Sequence, residues 1–506
     1  MKVLPALASG PAPDPPTGFS RLWTRCGGPR QVLPAAIYAC LLLLVAALPH
    51  SKALTETAYS AALALWVAKL IFRRERPWAQ PLVPAMLAVL VCSAISCLLS
   101  PVPALSWGPM KSVALLLVGV LYAQNVRSLL QVKTLAAVLC LSTLGAIGYT
   151  AWQYGYGIGA KVVNVAPGSS LAGAGLQPGD IIMSIEGHRV RNPWQARREL
   201  QRLQARNEVT LLAERGEGLG KLQAEAERQA VVNAALATGR PPRALGGVNH
   251  AVTYALVLLQ IGLLLWGLLL SATLAQRKLK WALFASLLLI CATIGATGTR
   301  TALVSMAVAG LLVLWVAVPK RLIRTLGLAA VIVAMAGASL WIRHVRGLGM
   351  VAPADDGTRY RVLMWEDGLR LTRQHPFFGV GMDSIEALWP QWNIRAYRLF
   401  PAFRTNFHST PVQIAAERGL ATLAAYVWLM FLCLRLPLQT LRRIPAGDWF
   451  ARGFALGAFG AAIGYLGGSL VNYNGSEMHI LFWFLIGTTV ALQKFSSPGA
   501  SCTQTP

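Results

Sequence analysis

The stretch from Asp355 to Leu420 is the longest polar interruption in the apolar second half of this chain. It opens with Gly357-Thr358-Arg359-Tyr360-Arg361-Val362-Leu363-Met364-Trp365 and passes through His375-Pro376-Phe377-Phe378-Gly379-Val380-Gly381. It ends at Asn406-Phe407-His408-Ser409, where a new apolar helix begins. Arginines, a glycine-hinged turn and a histidine therefore occur together between hydrophobic segments. This alternation of apolar runs with one long polar loop decides the fold class.

Composition excludes a soluble domain. The 506 residues are 55% hydrophobic and 13% charged, with a mean hydropathy of +0.51. Soluble domains carry about 25% charged residues. Repeated apolar runs near the ~20 residues that span a bilayer indicate a polytopic helical membrane protein. We attribute the net charge of +26 to an excess of basic residues in cytoplasmic loops, rather than to nucleic-acid binding.

Hydropathy predicts an all-α polytopic fold of about twelve spans with one small α/β domain inserted. The spans are predicted at 33–48, 53–72, 82–99, 112–123, 132–154, 251–275, 281–297, 301–318, 325–342, 409–434, 453–471 and 480–492. They divide the chain into a first bundle (1–154), a polar insertion (157–248), a second bundle (249–342), a polar loop (343–407) and a third bundle with a tail (408–506).

Basic residues predict the orientation, because they gather in every second short loop. One set of loops contains Arg73, Arg74, Arg76, Arg127, Lys133, Arg277, Lys278, Lys280, Lys320, Arg321, Arg324, Arg435, Arg442, Arg443 and Arg452. The other set contains only Lys52, Lys111 and Arg300. The rule that basic loops stay inside then predicts that both termini are cytoplasmic. Both long polar regions are predicted outside.

The insertion has the pattern of a small domain from Gly157 to about Arg215. Lys161-Val162-Val163-Asn164-Val165 predicts a strand, residues 166–170 a turn, and Ile185-Glu186-Gly187-His188-Arg189-Val190 a tight hairpin. Together with Gly175-Leu176-Gln177-Pro178-Gly179-Asp180, this pattern resembles a bacterial PDZ domain. The resemblance implies a groove that adds a peptide strand to a sheet edge; the alternative is a domain that only packs against the membrane part. The Ala-, Glu- and Gln-rich run 219–232 predicts a helix that returns to the membrane.

Arg300 follows Ala296-Thr297-Gly298-Thr299 at the outer mouth of a predicted span. A charge at that depth is unfavourable unless it snorkels to the interface or has a partner. We interpret Arg300 as functional because its small neighbours permit close approach. The alternative is an arginine that only snorkels.

Arg359 and Arg361 begin a predicted amphipathic helix. From Arg361 onward, Val362, Trp365 and Leu369 form an apolar stripe, as in helices that lie in a membrane interface. The loop 343–407 contains nine arginines, six acidic residues and no lysine. Arginine without lysine favours bidentate phosphate recognition, although a basic rim beside anionic lipid would have the same composition.

His408 lies where the loop re-enters the bilayer. A neutral imidazole can accept a hydroxyl proton near neutral pH; the alternative is a helix cap or an interface residue. Gln413 and Glu417 share one face of the following helix. Glu417 lies about 180° around that helix from His408. It is therefore not expected to orient the imidazole unless the helix bends.

No metal site is predicted. The eight cysteines include no Cys-x-x-Cys pair and imply no disulfide framework. The outer regions contain no Asp-x-Asp pair or other carboxylate cluster suited to a divalent ion. Arginine is therefore expected to balance any phosphate charge.

Arg300 in Gly-Thr-Arg-Thr, Arg361-x-x-x-Trp365, the segment His375–Gly381 and the run His408–Leu420 together resemble the O-antigen ligase and polymerase superfamily. The resemblance covers about residues 281–434 and rests on the order and spacing of these motifs. Ser409 departs from the family pattern, which usually has asparagine after the histidine. The resemblance implies a GT-C-like fold that needs no metal or other cofactor.

The resemblance further implies glycosyl transfer on the periplasmic face of the bacterial inner membrane. The donor would be a glycan on undecaprenyl pyrophosphate, and the preferred acceptor would be lipid A–core. Arg300 and Arg361 would stabilise the departing pyrophosphate, and His408 would deprotonate the acceptor hydroxyl. The remaining predicted substrate-binding residues are Arg359, Trp365, His375, Gly379, Gly381, Gln413 and Glu417.

Three alternatives stay open. An O-antigen or exopolysaccharide polymerase and a protein O-oligosaccharyltransferase share these motifs, and a peptide groove slightly favours a protein partner. A membrane transporter or scaffold that carries a PDZ domain is the non-enzyme alternative. Transporters are expected to bury charges in the middle of spans, whereas these candidates lie at the outer edge. A site-2-type protease is excluded because no histidine is followed by glutamate.

Overall fold

The computed structural model describes residues 29–73, 81–165, 175–202, 208–215, 218–225, 235–239, 243–248, 250–346, 356–400, 406–473 and 475–495. The turn predicted at 166–170 lies outside these residues. Residues 171–174 lie outside them as well.

The first bundle is made of apolar helices joined by short turns. Its helices are α1 (Pro29–Ala47), α2 (Lys52–Arg73), α3 (Val83–Leu98), α4 (Pro103–Ser106), α5 (Met110–Val113), α6 (Leu117–Asn125) and α7 (Leu129–Tyr156). The short predicted span 112–123 is part of a longer broken element, Pro103–Asn125. Pro103 occupies the first position of α4 and Pro109 precedes α5. Proline favours a helix start over a continuous helix, which explains the breaks.

The remaining helices follow the insertion. They are α9 (Ala251–Ser271), α10 (Arg277–Thr297), α11 (Arg300–Ala317), α12 (Arg321–Arg346), α13 (Asp356–Gln374), α14 (Ser384–Ala387), α15 (Arg395–Leu399), α16 (Thr410–Arg443), α17 (Trp449–Val471) and α18 (Ser476–Phe495). Helices α9, α17 and α18 form the centre of the core. Their close approach depends on small residues, because a side chain at Gly267 of α9 would collide with the backbone of Gly457 in α17.

Nine helices among the described residues are long and apolar enough to cross a membrane. The apolar segments Val32–Ala47 and Val83–Leu98 are shorter, and α2 contains Lys52, Glu56 and Lys69. The protein is therefore a multi-pass membrane protein. The predicted count of twelve spans is not confirmed.

The insertion is a small antiparallel sheet with one helix. Its elements are β1 (Ala160–Asn164), β2 (Ile181–Ile185), β3 (His188–Arg189), α8 (Pro193–Arg202), β4 (Glu208–Arg215), β5 (Gly218–Glu225) and β6 (Ala235–Thr238). The strand order is β5-β4-β2-β1-β6, and β3 pairs with β2. The predicted strand at 161–165 and the hairpin around Glu186-Gly187 are confirmed.

The predicted helical return is wrong over 219–225. These residues form β5, which pairs with β4 along its whole length, from Glu208 opposite Glu225 to Arg215 opposite Gly218. An Ala-, Glu- and Gln-rich composition favours helix only weakly, and pairing with a neighbouring strand overrides that preference. Residues 226–232 lie outside the described part of the chain, and the chain returns to the membrane through β6.

Candidate active site

The loop that contains His375–Gly381 docks on a break in helix α16. At Gly419 the backbone of α16 leaves helical geometry, with φ 79° and ψ 174°. The loop then bonds to both sides of the break. The Val380 and Gly381 amides donate to the carbonyls of Ala416 (3.1 Å) and Glu417 (2.8 Å), and the Leu420 amide donates to the Pro376 carbonyl (2.7 Å). Loop and broken helix therefore form one unit.

Glycines make this contact possible. Gly379 and Gly381 both have positive φ values, 65° and 91°. A side chain at Gly379 would collide with the Glu417 backbone, and one at Gly381 would collide with Ser100. Backbone at such φ values with such close neighbours favours glycine. The structure therefore gives both residues a packing role, and their predicted contact with substrate stays a prediction.

Gln413 and Trp365 fix the residue that precedes His408. The side-chain carbonyl of Gln413 accepts the Phe407 amide at 2.8 Å. The indole of Trp365 donates to the Phe407 carbonyl at 3.1 Å. Phe407 itself is fully buried. Two residues predicted to bind substrate therefore hold the backbone from which the candidate base projects.

His408 has a left-handed backbone conformation with φ 48°, and its amide donates to the Asn406 side chain at 3.0 Å. Its ring packs edge-to-face on Tyr360, with ring centroids 5.5 Å apart. Burial, followed by the positive charges of Arg361 and His250, lowers the pKa of His408 to about 4. The imidazole is therefore neutral at physiological pH and able to accept a proton.

Arg359 and Arg361 lie on α13, which confirms the predicted helix. Arg361 is half-buried and acts electrostatically on His408, whereas Arg359 is exposed. Val362 and Leu369 of the predicted apolar stripe are 46% and 52% exposed. Val362 and Leu369 therefore face away from the protein core, as an interfacial helix requires, whereas Trp365 is half-buried.

Arg300 is the first residue of α11, directly after the buried Thr299. A second arginine, Arg243, organises this helix start. Its Nε donates to the Thr297 carbonyl at 2.6 Å and its terminal nitrogen donates to the Thr299 hydroxyl at 3.2 Å. Arg243 therefore fixes the loop that presents Arg300.

The sequence reasoning missed Arg243 and His250. His250 caps α9 by accepting the Thr253 amide at 3.2 Å. Burial lowers the pKa of His250, and the charge of Arg243 lowers it further. Because His250 in turn acts on His408, these residues connect the Arg300 loop to the candidate base. The sequence did contain one indication of these residues, because both can be charged and both lie in the short link before an apolar helix.

Two predicted residues do not join this cluster. His375 follows the carboxyl end of α13 and packs on Trp392, with ring centroids 5.6 Å apart. Arg361 lies near the other end of that helix, about 20 Å away at 1.5 Å per residue. Glu417 is buried and accepts the Asp383 amide at 3.1 Å. As expected from its position on the helix, Glu417 does not orient His408 in the structure.

Several arginines of the loop make structural contacts within the loop itself. Arg395 pairs with the buried Asp367 at 2.8 Å and with Glu366 at 2.9 Å. Arg370 lies 3.5 Å from Asp367 and donates to the carbonyls of Trp392 (2.9 Å) and Asn393 (3.0 Å). The large number of arginines in this loop is therefore not, by itself, evidence that the loop binds phosphate. Among the described residues, no group of three or more His, Cys, Asp or Glu is arranged to hold a metal ion.

Comparison with known proteins agrees with this geometry. Residues 284–427 match a family model described as O-antigen ligase, and residues 161–215 match a PDZ domain model. The first match contains Arg300, Arg361 and His408, and the second contains β1–β4. A comparison with curated proteins finds no match. The chain is thus similar to the O-antigen ligases, a family of membrane glycosyltransferases, and carries an inserted PDZ-like domain.

Proposed function

We propose that this protein transfers a glycan from undecaprenyl pyrophosphate to an acceptor hydroxyl, and that the acceptor is lipid A–core. The observation that carries the proposal is the neutral, half-buried His408 beside Arg361. A neutral imidazole next to a guanidinium suits a reaction that removes a hydroxyl proton while negative charge develops on phosphate.

The reaction is one displacement. The acceptor oxygen forms a bond to the anomeric carbon while the bond from that carbon to the pyrophosphate oxygen breaks, so the configuration inverts. His408 takes the hydroxyl proton. The electron pair of the broken bond stays on undecaprenyl pyrophosphate, where Arg361 and Arg300 stabilise the charge. Arg359, exposed at the same helix end, contacts the outer phosphate or the glycan.

The positive charge in loops such as those around Arg277 and Arg443 supports an orientation with both termini cytoplasmic. Arg300, Arg361 and His408 then share the periplasmic face of the inner membrane. A polymerase or a protein oligosaccharyltransferase would use the same chemistry with a different acceptor. The PDZ-like domain favours the protein acceptor among these alternatives.

Deletion of the gene in its own host, followed by analysis of surface glycans and of the lipid-linked pool, tests the proposal. Ligation predicts bare lipid A–core together with accumulated full-length lipid-linked polymer. Surface molecules capped with single repeats would indicate a polymerase, and loss of protein glycans would indicate an oligosaccharyltransferase. Intact glycans of every class would refute glycosyl transfer.

Complementation of the deletion strain tests the site. His408→Ala and Arg300→Ala are each expected to reduce transfer by about two to four orders of magnitude, the usual effect of losing a general base or an oxyanion-stabilising group. His188→Ala is the matched control, because His188 is an exposed residue of β3 in the insertion. Transfer by both site variants at the wild-type rate would remove the assignment.

A further inference from the structure

A cavity of about 60 Å³ lies within the helical bundle, lined by residues from both the first and the third bundle. Its polar lining residues are Ser112, Thr410, Arg418, Tyr426, Tyr465, Tyr473 and His479. The arginines and the histidine assigned to glycosyl transfer do not line it. The cavity is therefore separate from the candidate active site, although Thr410 follows His408 by only two residues.

Arg418 is the charged group that faces this cavity. It is only 7% exposed, and its Nε–H has no hydrogen-bond partner among the described residues. The guanidinium bonds to the Tyr473 hydroxyl. No carboxylate in the described part of the chain forms an ion pair with it, although the carboxylates of the adjacent Glu417 and of Asp383 act on it electrostatically. A buried N–H without an acceptor is unfavourable, and a bound anion would supply the missing acceptor.

Several of the neighbouring polar groups already have hydrogen-bond partners. The Tyr465 hydroxyl and the His479 ring nitrogen are 2.7 Å apart, and the Thr410 hydroxyl donates to the Asn472 carbonyl at 3.2 Å. The adjacent Glu417 carboxylate accepts the Asp383 amide. Arg418 is therefore the group in the cavity wall with both a charge and an unused donor.

The size of the cavity limits what can bind. One water needs roughly 10–15 Å³ of such a volume, so 60 Å³ accommodates about four to six atoms of that size. A phosphate group, with one phosphorus and four oxygens, fits that space. Guanidinium binds phosphate oxygens through short, charge-assisted hydrogen bonds.

We propose that this cavity is a binding site for a phosphate group, held by Arg418. The proposal goes beyond glycosyl transfer and would stand if the acceptor assigned above were different. The phosphate could belong to a soluble ion or to a lipid headgroup. The chemistry that recognises it is the same.

Equilibrium binding to the purified full-length protein in lipid nanodiscs tests the proposal. The two probes are radiolabelled orthophosphate and a radiolabelled short-chain prenyl monophosphate. We expect at least one of them to bind and Arg418→Gln to weaken that binding at least tenfold, the loss expected for one charge-assisted contact. Tyr473→Phe, which removes only the hydroxyl beside Arg418, is expected to weaken it about threefold. Arg452→Gln is the control, because Arg452 bonds to the Ile444 carbonyl far from the cavity.

The two probes distinguish the sources. Binding of orthophosphate that depends on Arg418 supports a soluble anion, and binding of the prenyl monophosphate alone supports a lipid headgroup. The proposal is overturned if neither probe binds, or if Arg418→Gln binds as tightly as the wild type. It is also overturned if Arg361→Gln abolishes binding while Arg418→Gln does not. If Arg418→Gln fails to fold, Tyr473→Phe decides, and unchanged affinity in that folded variant overturns the proposal.

Discussion

The loop 343–407 and the insertion attach to the membrane bundle in different ways. The loop of α13–α15 joins the broken helix α16 through three backbone hydrogen bonds on both sides of Gly419, and it has its own buried cluster around Tyr360, Met364 and Tyr397. In the insertion, the first and last residues instead lie side by side. The Ile158 amide donates to the Gly239 carbonyl at 2.8 Å, and the Gly239 amide donates to the Gly159 carbonyl at 3.1 Å.

The two kinds of attachment lead us to expect different roles for the two regions in the proposed transfer. Residues of the loop contact the backbone around His408, so any movement of the loop moves the candidate base. The insertion reaches the site through the segment before α9, where Arg243 holds the Arg300 loop and the Ala244 amide donates to the Ala296 carbonyl at 3.0 Å. A domain whose two ends meet can be exchanged with little disturbance to its host. We expect the loop to be essential and the insertion to be modulatory.

The largest expected effect comes from breaking the loop attachment at Gly419. In Gly419→Ala, the methyl group would meet the Phe377 carbonyl, at a backbone conformation that is almost restricted to glycine. We expect about a hundredfold loss of transfer and a lower thermal midpoint, because the loop must leave its place beside His408. Membrane preparations assayed for transfer, together with a thermal unfolding curve of the purified protein, measure both.

Gly337→Ala is the matched control for that variant. Gly337 lies inside α12, and a methyl group added there would meet no other atom within 4 Å, so alanine should be neutral or slightly stabilising. If Gly419→Ala behaved like Gly337→Ala, the docked loop would not be the element that positions the base.

The next largest effect is expected from removing the contacts that Arg243 makes between the insertion and the Arg300 loop. Arg243→Ala removes the donors to Thr297 and Thr299, and we expect about a tenfold loss of transfer because the Arg300 loop becomes less fixed. Arg243→Lys should recover only part of it, since lysine cannot reproduce the two-nitrogen contact. Arg198→Ala, on the exposed face of α8, is the control. Equal rates for all three variants would separate the insertion from catalysis.

A smaller effect on transfer is expected from removing the insertion while keeping Arg243. Replacing residues 160–238 by a short Gly-Ser linker rejoins Gly159 and Gly239, which already pair through a 3.1 Å hydrogen bond. We expect transfer to fall by no more than about fivefold, because Arg243 and His250 remain in place. The rate of transfer in membranes measures this. A hundredfold loss would show that the insertion belongs to the site.

The smallest effect is the response to pH. His408 has a pKa of about 4 in the folded protein, below the ordinary 6.5. The base form therefore persists as pH falls, and the transfer rate should stay nearly constant from pH 8 to about pH 5 and decline only as pH approaches 4. The unfolded chain binds the proton more readily between these two pKa values, so folding stability is also lost as pH falls through that window. A rate that halves near pH 6.5 would contradict the buried position of His408.

Much of the fold was predictable because hydropathy is a local property. Apolar runs located the helices, and the strand at 161–165 and the hairpin at Glu186-Gly187 followed from short-range patterns. Local composition failed at 219–225, where pairing with β4 makes a strand from residues that favour helix. A sequence also does not reveal that Arg395 and Arg370 are engaged by the buried Asp367, so the arginine count could not separate phosphate binding from structural roles.

Sequence patterns alone were enough to predict a helical membrane protein with a PDZ-like insertion. They also pointed to Arg300, Arg361 and His408 as candidate site residues. The folded structure was needed to show that Arg361 and His250 act electrostatically on His408, that Gln413 and Trp365 hold the Phe407 backbone, and that Arg243 fixes the loop before Arg300. Sequence motifs could not show this because they record only residue types along the chain. Burial, electrostatic neighbours and the break at Gly419 depend on which distant segments pack together.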